Sequence, residues 1–206
     1  MFTALLVGAL VVVFGSAAFV VARSSRGQLG GGGLKQLPAT TSDGNLLMRT
    51  VRDLRVGDIV QYETRDYLVE GTVNYDEAGH RWTAGRLIDA GDEKWLIVGM
   101  EKAGTDTVRL TQIADIDISG YPPETMVAGG TRYNLDSRGT ATAKAAGQTD
   151  VVGGKGLDPD SVHRCRWWRY EGTGGKCLIL EQWGDSFRTL RGESIRMSDL
   201  ELMPGS

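Results

Sequence analysis

The feature that most constrains the fold is a succession of short strand signals between residues 57 and 118. Apolar and polar residues alternate there, as in Val108-Arg109-Leu110, and a period of two is typical of strands with one buried face. Residues 95–98 are apolar throughout, which predicts a strand buried on both faces. No long stretch after Gly57 has a helical period, so we expect a small, strongly bent sheet or barrel. The predicted strands are 59–62, 67–73, 80–88, 94–100, 107–112 and 116–118.

The same pattern returns in the C-terminal third of the chain. Residues 121–124 read Tyr-Pro-Pro-Glu, and two prolines prevent a strand from continuing, so we place a boundary there. Five matches in one order then predict a tandem duplication, with a Gly- and Asp-rich insertion loop at residues 148–162. The matching segments are 130–133 with 59–62, 138–141 with 70–73, 163–167 with 80–82, 176–181 with 94–98, and 198–202 with 114–118.

The predicted fold class is therefore mainly β, with two tandem small half-barrel or barrel-like repeats, preceded by one transmembrane α-helix. The repeats occupy residues 51–120 and 121–203. Two such units can pack about a pseudo-twofold axis and cover sheet edges that neither covers alone. The cleft between them is then the expected place for a ligand.

Residues 2–22 are uncharged and have the length of a membrane span, since 21 residues of helix reach about 30 Å. Arg23 and Arg26 follow, and no Lys or Arg precedes. The positive-inside rule then predicts a single-pass cell-membrane protein with a cytoplasmic C-terminal domain. The alternative is export after signal cleavage near Ala22. Residues 23–50, rich in Gly and small polar residues, are predicted to be a flexible tether.

The charge of the chain bears on its possible partners, and the positions of its two cysteines bear on whether a disulfide forms. Residues 51–206 hold 19 basic and 25 acidic side chains, and a net-acidic domain repels phosphate backbones, so no nucleic-acid partner is expected. Cys177 lies beside a predicted turn, and Cys165 is placed opposite a position near Glu181 on the partner strand. Bonded strand partners lie within about 5.5 Å of each other, so this register predicts two reduced, buried thiols.

Spaced aromatic and aliphatic residues carry a family resemblance. They are Val56-Gly57-Asp58-Ile59-Val60, His80-Arg81-Trp82, Trp95-Leu96-Ile97-Val98, Trp167-Trp168-Arg169-Tyr170 and residues 178–183. Through these motifs, residues 51–203 resemble DUF4178, a family of uncharacterised bacterial domains. The resemblance implies a β-rich domain that often occurs beside membrane-spanning segments, with a link to envelope or membrane-stress systems. It supplies no catalytic residue.

The best candidate for a binding patch is the mixed basic and aromatic segment 164–170. On a strand, Arg164, Arg166, Trp168 and Tyr170 share one face. Such a face can bind an anionic ligand, a lipid headgroup or a peptide through cation–π contacts. The alternative is a core strand whose aromatic rings pack inward while its arginines reach water.

His80 and His163 complete the set of candidate ligand-binding residues because they occupy matching places in the two predicted repeats. Paired by symmetry, they are candidates for a metal or an acid–base site. No acidic residue or cysteine stands at ligand spacing around His80. We therefore predict no metal site and no cofactor.

The predicted function is a membrane-anchored binding or scaffold module in bacterial envelope or membrane-stress homeostasis. Its expected partners are the lipid bilayer and a protein or peptide. The sequence contains no GxSxG nucleophile motif and no phosphate loop, so no catalysis is expected. The alternative is a hydrolase or transferase with its site in the cleft between the two repeats.

Overall fold

The computed structural model describes residues 49–102, 107–151 and 155–205, and within these ranges the regular secondary structure is almost entirely β-strand. The strand segments are rich in Val, Ile, Thr, Tyr and Trp, the residues that fit a pleated, half-buried surface. The strands are β1 Ile59–Tyr62, β2 Arg65–Glu77, β3 His80–Asp89, β4 Asp92–Val98, β5 Thr107–Ile113, β6 Thr125–Ala128, β7 Thr131–Gly147, β8 His163–Gly172, β9 Lys176–Trp183, β10 Ser186–Arg196 and β11 Leu200–Met203.

Tight two-residue turns fix the register of the first hairpins. Ala78 and Gly79 join β2 to β3, and Ala90 and Gly91 join β3 to β4. All four residues have positive φ, the geometry that matches the right-handed twist of paired strands. Glycine at the second turn position adopts this geometry without a steric cost, so the sequence itself specifies where these hairpins turn.

Eight of the described strands close into a ring. The sheet order is β11-β1-β2-β3-β4-β5-β10-β9-β8-β7-β6, and β2 also pairs with β7. This additional pairing runs antiparallel from Gly71↔Gly147 to Asp76↔Thr142. The ring β2-β3-β4-β5-β10-β9-β8-β7 is therefore continuous, and an eight-stranded barrel is just wide enough for side chains to fill its interior.

A buried cluster fills the barrel interior, the lumen. Its members include Val73, Trp82, Trp95, Trp167 and Ile179, which come from five different strands of the ring. The connection between β7 and β8, the predicted insertion loop, also contributes, because Val151 and the partly buried Leu157 pack against the same cluster.

Bulges in the two longest strands place two hairpins on the outside of the barrel. The register of β2 against β3 shifts between Val69 and Gly71, and that of β7 against β8 shifts between Leu135 and Ser137. A bulge adds one residue to one strand, so the side chains before it switch faces. Tyr67 accordingly packs in a second cluster, under β1 and β11. Tyr133 packs in a third, under β6.

The prediction of two tandem repeats is wrong, although the mainly β class is correct. The structure is a single closed barrel to which both predicted repeats contribute wall strands. Pairing of β5 with β10, from Leu190↔Ile113 to Arg196↔Thr107, crosses the boundary predicted at residues 120/121. The pairing of β2 with β7 crosses it a second time. The spacing of apolar residues along a chain does not encode which strand edges meet, and the prediction failed for that reason.

Two details of the predicted repeat are also wrong. Residues 59–62 form a four-residue strand outside the ring, whereas residues 130–133, their predicted match, begin the 17-residue wall strand β7. Residues 116–118, predicted as a strand, form none. Ile116 and Ile118 instead pack on the third cluster. Their alternation with polar residues therefore reflects packing against the face of a sheet, and the segment pairs with no strand.

The predicted membrane placement also requires correction. The helical elements of the described residues are three-residue 3₁₀ turns at Val51–Asp53, Thr173–Gly175 and Met197–Asp199. Across the described ranges there is no helix with the length and apolar character needed to span a bilayer. The span predicted at residues 2–22 and most of the tether predicted at residues 23–50 lie outside those ranges. The described residues therefore provide no membrane-spanning segment for the predicted single-pass protein with a cytoplasmic domain.

Candidate functional site: a groove between two hairpin tips

The strongest candidate site is a groove of about 570 Å³ on the outer face of the barrel. Its walls are the tips of the two outer hairpins, at Tyr62 and Glu63 between β1 and β2, and at Ala128 and Gly129 between β6 and β7. We call it the outer groove. Its floor is made of outward-facing residues of β4, β5, β10 and β9, namely Lys94, Leu110, Gln112, Arg191, Glu193 and Lys176.

The register of the floor strands orders these side chains in two rows. In the first row Arg191 is the cross-strand partner of Gln112. Lys94 belongs to the same row. Trp95 pairs with Thr111 in antiparallel register, so the preceding residue, Lys94, lies opposite Gln112. In the second row Glu193 stands between Leu110 on β5 and Lys176 on β9. Successive strands lie about 4.8 Å apart, so each row crosses the floor within reach of a single bound segment.

Two basic side chains of the floor, Arg191 and Lys176, contact the hairpin whose tip forms the β6–β7 wall. Gly129 and Gly130 form its two-residue turn, both with positive φ. A Cβ on Gly129 would overlap the guanidinium of Arg191, so glycine at this turn makes room for that side chain. Lys176 Nζ donates to Thr131 Oγ1 at 3.2 Å. Neither Arg191 nor Lys176 makes an ion pair with any carboxylate of the described residues.

Two acidic side chains lie near the β1–β2 tip, Glu63 on the wall and Glu193 on the floor. Glu63 and Glu193 are both exposed, and neither makes an ion pair within the described ranges. Their position is indicated by Tyr62, whose phenol pKa is raised by burial and then by the negative charges of Glu63, Glu193 and Asp199. The two carboxylates therefore lie near the Tyr62 ring.

A third charged group in the groove is already neutralised. Arg65 lies 2.7 Å from Asp89 and 2.6 Å from Asp92, and Lys94 lies 3.5 Å from Asp92. Burial opposes ionisation of Asp92, but Lys94 and Arg65 outweigh it and lower the pKa of the carboxyl. Arg65 thus ties the β1–β2 hairpin to the β3–β4 hairpin through two ion pairs. Arg191, by contrast, has no ion-pair partner among the described residues.

The binding patch predicted on β8 is divided by the structure. Arg164 and Arg166 are exposed, but Trp168 and Tyr170 are buried in the third cluster. Tyr170 Oη donates to the carbonyl of Pro123 at 2.8 Å, and burial raises its phenol pKa to about 12. Trp168 lies edge-on to Tyr121, with ring centroids 5.8 Å apart. The segment carrying Pro123 and Tyr121 covers the aromatic half of the face, and the sequence pattern did not indicate this cover.

The two candidate histidines are not brought together. His80 begins β3 and His163 begins β8, and β2 and β7 lie between these strands in the ring. His80 Nε2 lies 3.2 Å from the carbonyl oxygen of Met100, and His163 Nε2 lies 2.9 Å from that of Asp158. The described part of the chain holds no group of three or more His, Cys, Asp or Glu residues placed to bind a metal ion.

Sequence reasoning missed a polar cluster inside the lumen. Arg188 donates to Glu181 Oε2 through Nε at 2.9 Å and Nη2 at 2.6 Å. Tyr75 Oη donates to Glu181 Oε1 at 2.8 Å, and Trp183 Nε1 donates to Oε2 at 3.1 Å. Arg188 also lies over the Trp95 ring, 4.1 Å from its centroid. Glu181 stands two residues after Ile179 in the apolar strand β9, so the two side chains share a face. This spacing was the signal in the sequence that Glu181 is buried.

This lumen cluster is buried from solvent. The side chains of Arg188 and Glu181 are 3% and 4% exposed, and tryptophans of the lumen, among them Trp95 and Trp183, surround them. Burial raises the pKa of the Tyr75 phenol well above its ordinary value. It does the same for the Cys165 thiol beside the cluster, so neither group ionises near neutral pH.

Fold and site together define a small all-β domain, a closed eight-stranded antiparallel barrel with a charged groove between two hairpins on its outer face. The chain belongs to the family described as Domain of unknown function (DUF4178), which matches residues 55–197, more than two thirds of its length. The family resemblance expected from the spaced aromatic motifs is thus confirmed. Comparison with curated proteins and with solved structures gave no match.

Proposed function

We propose that this domain is a binding module that holds an extended segment of a partner protein in the outer groove. One observation carries the proposal. Four charged side chains that line the groove, Glu63, Lys176, Arg191 and Glu193, make no ion pair with a described residue. Exposed charges without partners gain Coulomb energy when a complementary ligand brings the missing partners.

The make-up of the groove favours binding over catalysis. Its lining contains neither histidine nor cysteine, so no nucleophile has an imidazole or thiolate beside it. Its volume, about 570 Å³, lies within the range of ligand pockets. The expected role in envelope or membrane-stress systems, the lipid partner and the exclusion of nucleic acid stay predictions from sequence.

The test is a selection of random ten-residue peptides on the purified full-length chain, followed by affinity measurements on the enriched peptides. Two double variants remove equal positive charge. Lys176→Ser with Arg191→Ser changes the groove, and Arg164→Ser with Arg166→Ser changes the exposed part of the β8 patch. Loss of two exposed ion pairs weakens binding by about tenfold, and we expect that loss for the groove variant alone.

Two outcomes contradict the proposal. If no peptide is enriched over a selection without protein, the domain does not bind extended segments. If the β8 variant loses affinity while the groove variant keeps it, the binding surface is the patch predicted from sequence and not the outer groove.

A further inference from the structure

The outward positions of β10 carry opposite charges two residues apart. Arg191 and Glu193 are both exposed, and Gly192 between them faces the lumen side. In an antiparallel strand the rise is about 3.4 Å per residue, so residues two apart are separated by about 7 Å along the strand. The floor of the outer groove therefore presents a cation and an anion at the spacing of alternate residues in an extended chain.

The two rows of the floor reinforce this alternation. In the row of Arg191, the neighbouring side chain is the Gln112 amide, and Lys94 beyond it already pairs with Asp92. Arg191 and Gln112 therefore offer hydrogen-bond donors to an anion. In the row of Glu193, the neighbour on β5 is Leu110 and the neighbour on β9 is Lys176. Lys176 donates to Thr131 and does not form an ion pair with Glu193, whose carboxylate stays open to a cation.

Ligands of a single charge sign fit this floor poorly. A ligand with only acidic groups would place a carboxylate beside Glu193 and Glu63, and a ligand with only basic groups would place an ammonium beside Arg191. Like charges in contact cost energy that the opposite pair has to offset. An extended segment that alternates its charge avoids both costs, because its side chains at positions i and i+2 project to the same face.

We infer that the outer groove recognises an extended peptide segment in which an acidic and a basic side chain stand two residues apart. The acidic side chain binds Arg191 and the neighbouring Gln112. The basic side chain binds Glu193, with Glu63 on the adjoining wall. This inference rests on the proposed function, and it adds the charge pattern of the partner.

The test uses fluorescein-labelled ten-residue peptides, capped at both ends, and the full-length chain, with affinity read by anisotropy at low ionic strength. One peptide has Glu and Lys two positions apart in a Ser/Thr background. A second has the same composition with Glu and Lys adjacent, so that they project to opposite faces of an extended chain. Two more carry a pair of Lys or a pair of Glu two positions apart. We expect the first peptide to bind about fourfold more tightly than the second, since one exposed ion pair is lost.

Charge reversal on the floor gives an outcome that a merely structural role of Arg191 does not produce. With Arg191→Glu, both outward-facing side chains of β10 in the groove, at positions 191 and 193, are acidic. The peptide with two Lys then becomes the tightest ligand by about fourfold. Glu193→Lys is the second variant and makes the peptide with two Glu the tightest. Lys144→Glu is the matched control, with the same change of charge at an exposed site on the β2–β7 seam, across the ring from the groove. It keeps the wild-type preference.

Failure of the inference and failure of the proposed function are distinguishable. If the four designed peptides bind equally, or if the two-Glu peptide binds wild type most tightly, the charge pattern is wrong while binding in the groove stands. If none of them binds but selected peptides do, the pattern is again wrong. If neither selected nor designed peptides bind, the proposed function is wrong as well.

Discussion

The buried pair of Arg188 and Glu181 is a costly feature for a barrel lumen to contain. Removing two charges from water costs several kcal/mol per ion, and attraction between them offsets this only when further hydrogen bonds satisfy the remaining polar atoms. Tyr75 and Trp183 supply such bonds to the Glu181 carboxylate, and the Trp95 ring covers the guanidinium. Burial opposes the charged form of Arg188, but Glu181 outweighs it and raises the pKa of the guanidinium, so Arg188 stays charged.

Truncating one partner of this pair should destabilise the fold far more than truncating both. We expect Arg188→Met to lower the free energy of unfolding by about 3–5 kcal/mol, because it leaves a buried carboxylate without its cation. The double variant Arg188→Met with Glu181→Leu should recover part of that loss. Urea unfolding followed by tryptophan fluorescence measures both. Arg196→Met is the control, since Arg196 pairs with Asp199 at the surface, and its effect should stay below about 1 kcal/mol.

The two cysteines should be unreactive in the folded chain. Both are free and buried, in agreement with the predicted absence of a disulfide, although Glu181 proves to face Trp167. Burial raises the pKa of the Cys177 thiol to about 12 and that of Cys165 well above its usual range. The thiolate is the reactive form, so at pH 8 an aromatic disulfide reagent should label neither cysteine in the native chain and both in urea. Stoichiometric labelling of the native chain would show that the β8–β9 pair opens readily.

At the scale of elements, Asp58 joins the segment before β1 to the segment after β11. Its carboxylate accepts hydrogen bonds from Arg49 Nη2 at 2.6 Å, from the Arg55 amide at 2.8 Å and from the Gly205 amide at 2.9 Å. Burial opposes its ionisation, but these donors outweigh that effect and lower its pKa from the ordinary 3.8. Residues 49–58 and Gly205, two residues after β11, are thereby held to one ionised group.

The stabilisation from Asp58 should depend on pH in a defined direction. Because the folded-state pKa is lowered, the contribution is fully present above pH 3.8 and is lost as the pH falls through the folded-state value. We expect Asp58→Asn to cost about 2–3 kcal/mol at pH 7, from lost charge-assisted hydrogen bonds. The difference from wild type should shrink below about pH 4. Urea unfolding at pH 7, 5 and 3 checks this, and a difference that stays constant across that range would contradict it.

Gly192 is the residue that lets β10 and β5 approach closely below the groove. A Cβ at this position would overlap the carbonyl oxygen of Leu110 and lie 2.6 Å from Thr111 Cα. Both are backbone atoms, so neither can rotate away. Gly192→Ala should therefore lower the free energy of unfolding by about 3 kcal/mol or more, as overpacking against fixed backbone does. Gly156→Ala is the matched control, because a Cβ there would lie 3.7 Å from its nearest neighbour, Thr149 Oγ1. If the two variants have the same free energy of unfolding, the backbones of β5 and β10 are farther apart at Gly192 than the structure shows.

What the sequence predicted at this scale was the local part of the structure. Alternation located strands β2 to β5 and the strand at residues 163–172, because side-chain period is a property of one segment. The Arg65 bridge, the cover over Trp168 and the outer groove were not predictable, because each depends on strands far apart in sequence. Lys94, Arg191 and Lys176 carry no motif in the sequence. Only the register of four strands places them on one floor.

At the scale of the whole molecule, the barrel has two seams that join the halves of the chain. One is the β5–β10 pairing and the other is the β2–β7 pairing. Either half alone would leave the wall edges of two strands without partners, and open edges of this kind promote aggregation. The lumen cluster also draws residues from both halves, so neither half contains a complete core.

The halves should therefore fold only together. We expect residues 49–120 and residues 121–205, expressed separately, to lack dispersed amide NMR spectra and protected amides. Diluting a mixture of the two fragments out of denaturant should restore the dispersed amide spectrum and the protected amides of the intact chain. Both seams and the shared core can then form. A half that folds alone, with cooperative urea unfolding, would contradict this expectation. In that case the closed ring would not be the cooperative unit. The two seams would then behave as an interface between domains, and the charged groove above β5 and β10 would lie at that interface.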